Sequence, residues 1–139
     1  MTTRVFVVDD ERTIADTLAA ILSHHGYQTR AFYDAASALA ACAVEHPDLV
    51  ISDVVMPQCN GIDLAIQIKE RYPACKILLF SGHAGTVDFL HQARQLGHNF
   101  EVLSKPIHPK DLLARLEMEM TAPSDPLPSQ PSAARELRR

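Results

Sequence analysis

Short apolar runs alternate with helical stripes along the first 120 residues. VFVV at residues 5–8, LVIS at 49–52 and KILLF at 76–80 are uninterrupted enough to be strands buried on both faces of a parallel sheet. YQTRAF at 27–32 alternates apolar with polar positions, as an edge strand does, and FEVLS at 100–104 is the fifth run. Between them lie stripes with the spacing of a helix. Ile14, Leu18, Ile21 and Leu22 share one face, and Gly26 ends that helix. Asp34 is placed to cap a second helix that buries Ala38, Leu39 and Cys42. Leu64, Ala65, Ile68 and Tyr72 form a third stripe, stopped by Pro73. Val87, Leu90, Ala93 and Gly97 mark a fourth, and Pro109 opens a fifth, with Leu112, Leu113 and Leu116 inward. Five strand–helix units in this length predict an α/β fold: a doubly wound parallel sheet with five helices on its two faces.

Ligands of such sheets bind beyond the carboxyl ends of the strands. There the polar residues are few and of one kind. The first run leads into Asp9 and Asp10, the third into Asp53, the fourth into Ser81 and the fifth into Lys105. Clustered carboxylates repel by about 4 kcal/mol for two unit charges 4 Å apart at an effective dielectric of 20, so a cation is expected among them. Oxygen ligands suit a hard ion such as Mg²⁺. A carboxylate beside Mg²⁺, a lysine and a hydroxyl is equipped to accept a phosphoryl group. Singly, each residue has a bland explanation: a helix cap, a solvated charge, a surface lysine, turn chemistry before Gly82. Together, at four strand ends, they describe a site.

The motifs VVDD (7–10), LVISDVVMPQCNG (49–61), LLFSG (78–82) and SKP (104–106) give the chain its identity. In this order and spacing it resembles the receiver domains of response regulators in bacterial two-component signalling, over about residues 4–120. The resemblance implies a flavodoxin-like strand order, 2-1-3-4-5. It implies Asp53 as phosphoacceptor, taking its phosphoryl group from a histidine kinase or phosphotransfer protein. It implies Asp10, Asp53 and the main-chain carbonyl of Val55 as Mg²⁺ ligands, with Asp9 acting through metal-bound water. Ser81 is expected to hydrogen-bond the phosphoryl group and Lys105 to pair with it, with the Lys105–Pro106 bond cis. The output surface is expected on the fourth helix, fifth strand and fifth helix, where Phe89 and Leu96 lie seven residues apart, with phosphorylation-dependent dimerisation a further expectation.

Two departures from the family pattern stand out. Receivers commonly carry Tyr or Phe three residues before the lysine, where this chain has Val102. Phe100 lies two residues earlier, and that offset keeps it on the same strand face. Val55 and His83, each two residues beyond a site residue, flank the expected path of attacking water; Val55 is apolar and cannot orient it. Pro57 and Gly61 shape the loop after Asp53 and open the third helix, while Gly82 and Gly85 tolerate backbone change near Ser81.

Composition narrows the alternatives. The 139 residues, 47% hydrophobic, make one domain with little left over. No apolar run is long enough to span a membrane and no signal peptide is legible, so a cytoplasmic protein is expected. A net charge of −4 disfavours direct nucleic-acid binding. The three cysteines, Cys42, Cys59 and Cys75, form no CxxC pair, and the seven histidines form no zinc pattern. Residues 121–139, with four prolines and three serines, read as a flexible tail following a domain at 1–120. No DNA-binding or enzymatic output is legible, so the expected action is through protein partners or phosphorelay, as a stand-alone domain and not an enzyme. A haloacid-dehalogenase-like phosphohydrolase is the alternative, but its nucleophile belongs to a D-x-D motif on the first strand, where this chain has adjacent aspartates. An FMN carrier needs a Ser/Thr/Gly phosphate loop where this chain has DDER.

Overall fold

The computed structural model describes residues 3–56, 60–82, 86–98, 100–105 and 108–121. Strands β1 (Arg4–Val8), β2 (Gln28–Phe32), β3 (Leu49–Asp53), β4 (Lys76–Ser81) and β5 (Glu101–Ser104) alternate with five helices. These are α1 (Arg12–His24), α2 (Ala35–Glu45), α3 (Gly61–Arg71), α4 (Thr86–Gln95) and α5 (Pro109–Thr121). The strands form one parallel sheet in the order β2-β1-β3-β4-β5, as expected, so the direction of winding reverses between β1 and β3.

The pleat sorts the apolar residues into two cores. Val5, Val7, Leu49, Ile51, Leu78 and Phe80 face Ala15, Leu18 and Leu22 of α1 and Leu112 and Leu116 of α5. Phe6, Val8, Val50, Ile77 and Leu79 face α2, α3 and α4 through Ala38, Cys42, Leu64, Ala65, Ile68 and Ala93. Every residue of β3 is buried, which is why its sequence shows no alternation. The other edge strand, β5, is different: none of its four residues is fully buried.

Local chemistry sets the helix ends. Asp34 accepts a hydrogen bond from the Ser37 N–H at 2.7 Å, the cap expected of it. Asn60 does the same for α3, accepting from the Asp63 N–H at 2.7 Å. Pro109 is the first residue of α5. The fourth helix is shorter than its stripe suggests. It ends at Gln95 because Gly97, expected within it, adopts φ +91 and turns the chain out of the helix. The Gly97 and His98 N–H groups then close the end on the Arg94 and Ala93 carbonyls, at 3.0 and 2.9 Å. No helix among the described residues is long and apolar enough to cross a membrane. The expected tail, apart from Thr121, lies outside the described residues.

Candidate functional site

The sheet delivers its polar residues to one rim. Asp9 extends the β1 ladder by one step, its N–H donating to the Phe32 carbonyl at 3.0 Å. Its side chain is wholly buried, and Oδ1 accepts from the Glu11 N–H at 2.9 Å. Asp53 closes β3 and is 4% exposed. Asp10 is the most open of the three aspartates, and one carboxylate oxygen from each falls within 4.8 Å of the others.

Lys105 enters this cluster from the end of β5. Its Nζ lies 3.3 Å from Asp53 Oδ2 and 3.4 Å from Asp9 Oδ2, with the ammonium 5.0 Å from the centre of the Phe80 ring. The Lys105 N–H donates to the Ser81 carbonyl at 2.9 Å, which ties the lysine to the end of β4. Ser81 itself is buried, the last residue of its strand and paired in register with Ser104. Four strand ends thus contribute to one place, and Asp9, Asp10, Asp53 and Lys105 meet there as expected.

The charges are held under tension. Burial is the main cause that raises the Asp9 and Asp53 pKa values above the usual carboxylate range, with Lys105 opposing it. Burial pulls the Lys105 ammonium the other way, but Asp53 and Asp9 together outweigh it and hold its pKa above that of an ordinary lysine. Two carboxylates no more than 4.8 Å apart repel by at least about 3.5 kcal/mol at an effective dielectric of 20. One lysine cannot neutralise three such groups. The donor set is made of hard oxygens, which fits an acidic pocket for a hard divalent cation.

Backbone contacts beneath Asp53 complete the site. Ser52 is buried, and its hydroxyl donates to the Asp53 carbonyl at 3.0 Å. The Gly61 N–H donates to the Val54 carbonyl at 2.6 Å, and Val55 bridges to Asn60. A Cβ on Gly61 would fall 2.0 Å from the Asp53 carbonyl oxygen, so only glycine lets α3 begin against the strand that carries Asp53. The sequence placed Gly61 in this loop but gave no sign of the contact. Ser52 was missed; its position one residue before Asp53, in a run that is otherwise apolar, was the available signal. Val55 is 37% exposed beside Asp53, its N–H donating to Asp53 Oδ1 at 3.4 Å.

Phe100 and Val102 pack against the same core cluster, so the two-residue offset does preserve the face. The expectations for Pro57, Cys59, His83, Gly85 and the Lys105–Pro106 bond lie outside the described residues, as does the side chain of Phe89.

A family model described as the response regulator receiver domain matches residues 5–117. The chain is 35% identical over 117 residues to the DNA-binding transcriptional regulator NtrC of Proteus hauseri, covering 84% of this chain and 24% of that one. It is thus similar to a fraction of that regulator's length. Among solved structures, it resembles a CheY-like receiver domain protein from Methanospirillum hungatei, with a TM-score of 0.79 and 25% identity over 86% of this chain and 94% of that chain. The receiver domain of NtrX from Brucella abortus is similar at a TM-score of 0.74 and 33% identity, covering 85% and 99% of the two chains. These matches leave the phosphohydrolase alternative without support.

Proposed function

Since the chain belongs to the response regulator receiver family, we propose that Asp53 is its phosphoacceptor and that Lys105, Ser81 and the acidic rim carry out the transfer. The observation that carries this reading is the Lys105 ammonium held 3.3 Å from Asp53 Oδ2 and 3.4 Å from Asp9 Oδ2, at the switch point of the sheet.

An Asp53 carboxylate oxygen attacks the phosphorus of a phosphohistidine on a partner kinase or phosphotransfer protein. The new P–O bond forms as the P–N bond breaks, and the imidazole leaves with its electron pair and takes up a proton. With acetyl phosphate as donor, the P–O bond to acetate breaks instead. Lys105 faces the oxygens that gain charge in either reaction, and its pairing with Asp9 keeps it aimed there. The Ser81 hydroxyl, at the end of β4, is the neutral donor for the transferred group. Asp9, Asp10, Asp53 and the Val55 carbonyl would be the groups to hold Mg²⁺. Mg²⁺, when bound, supplies the positive charge that Lys105 alone lacks. The chain then acts through protein contacts or onward relay, not as an enzyme on small substrates. Leu96 and Met118, 70% and 61% exposed on the α4 and α5 side, lie on the surface proposed for output.

The test is incubation with acetyl phosphate, with and without Mg²⁺, followed by intact-mass measurement. A Mg²⁺-dependent gain of one phosphoryl group that Asp53→Asn abolishes supports the reading. Retention of the label in Asp53→Asn, or steady turnover of varied phosphate esters, would overturn it.

A further inference from the structure

Lys105 sits on the least anchored strand of the sheet. Of the five strands, β5 alone has no fully buried residue, and it is an edge with one neighbour. Its ladder to β4 runs over four pairs, from Leu78 with Glu101 to Ser81 with Ser104. Register is weakly specified in such a strand, because little apolar surface is lost when it slides. Yet the ammonium at its end must reach a gap between two carboxylates. Val102 and Leu103 pack against the two cores only in part, so contacts outside the strand also bear on its level.

Such contacts lie just ahead of β5. The His98 ring stacks on the Phe100 ring, the planes 3° apart and the centroids 5.8 Å apart. His98 Nε2 lies 3.9 Å from Glu70 Oε2 on α3, an ion pair when the imidazole is protonated. The His98 N–H is bound to the Ala93 carbonyl in the closed end of α4. Phe100 in turn packs against the core under α3 and α4. One residue therefore joins α3 and the entry to β5 through its ring, and α4 through its backbone N–H. Lys69, next to Glu70 in the chain, donates to the Pro73 carbonyl, and Glu101 pairs with Arg115 of α5.

We propose that His98 is a positioning residue for Lys105: stacked on Phe100 and set against Glu70, it fixes the level at which β5 enters the sheet and so the height of the ammonium between Asp9 and Asp53. The inference rests on the proposed role of Lys105 for its effect on phosphoryl transfer, but its structural half stands without that role. His98 touches none of the reacting groups.

The full chain is compared with His98→Ala, His98→Phe and Glu70→Gln. The first readout is the ¹⁵N resonance of the Lys105 ammonium without Mg²⁺ or phosphodonor. It is expected to move toward that of a solvated lysine in His98→Ala and to return most of the way in His98→Phe, which keeps the stack. The second is the rate of labelling by acetyl phosphate, expected to fall about tenfold in His98→Ala, with Mg²⁺ affinity not reduced, because β1 and β3 are untouched and a cation has moved away from their carboxylates. Glu70→Gln is expected to fall between the wild type and His98→Ala on both. An unmoved Lys105 resonance in His98→Ala would overturn the proposal, as would a loss of Mg²⁺ affinity in step with rate, which marks general loosening. If the wild type takes no label at all, the function of Asp53 fails, and the Lys105 resonance still decides the role of His98.

Discussion

Replacing Gly61 with alanine is the sharpest test of how Asp53 is held. A Cβ there would lie 2.0 Å from the Asp53 carbonyl oxygen, 2.9 Å from its carbon and 3.0 Å from Ser52 Oγ, whereas ordinary contact begins at 3.4 Å. About 1.4 Å of separation must therefore be made between two pieces of backbone, neither of which can rotate aside. Overpacking costs about 1–3 kcal/mol in general, and backbone on both sides puts this case near 3. Alanine's better helix propensity returns at most about 1 kcal/mol, leaving a loss of about 2. At about 4 °C per kcal/mol for a domain of this size, the melting temperature drops by about 8 °C. The same movement displaces Asp53, and a misplacement of about 1 Å at a reacting atom can cost about 100-fold in rate. Differential scanning calorimetry and the initial rate of labelling by acetyl phosphate read the two effects. Gly82→Ala is the control, since its Cβ meets Lys105 Cβ at an ordinary 3.5 Å. If Gly61→Ala melts with the wild type and is labelled at the same rate, the close approach does not govern the site.

Three further outcomes follow from the same geometry. Burial raises the Asp9 and Asp53 pKa values, so the folded state binds protons more readily there than the unfolded chain does. The resulting penalty is full above the raised values and disappears as pH falls below the ordinary 3.8. Metal-free Asp53→Asn is therefore expected to melt a few degrees above the wild type at pH 7, with the gap closing toward pH 4; a lower melting temperature at pH 7 contradicts this. Val55→Asn places a polar group beside the acceptor and is expected to change the lifetime of the aspartyl phosphate severalfold, measured by loss of label after donor removal. Burial pushes the Cys42 thiol up to about 11 and the Cys75 thiol up to about 12. Neither forms thiolate at pH 8, so peptide mapping after iodoacetamide treatment should find both modified only once the chain is unfolded.

Much of this was legible in the sequence because the fold is built from periodicities that do not conflict. Five apolar runs and five stripes fixed the number and kind of elements, and a parallel sheet carries its polar residues to one rim. The grouping of Asp9, Asp10, Asp53 and Lys105 is therefore written in the sequence. What was not legible depended on distances between elements. Gly61 is unremarkable as a loop glycine until α3 is seen to start against the Asp53 carbonyl. The stripe through Gly97 continued a helical spacing, but a positive φ at that glycine ended the helix two residues earlier. His98 and Glu70 lie 28 residues apart, and neither belongs to a motif; only the close of α4 brings them together.

The unequal burial of the strands bears on how such a chain can diversify. Two of the three aspartates of the rim are buried at the ends of β1 and β3, where a change of side-chain size disturbs a core. Of the charged groups at the rim, Lys105 alone extends from the exposed edge of the sheet. If Asp53 is the acceptor proposed above, surface changes on α4, β5 and α5 can accumulate under selection for new partners while the chemistry at Asp53 is kept, provided the lysine keeps its level. On that reading the molecule separates what it does from whom it tells, and the boundary between the two runs along one thin strand.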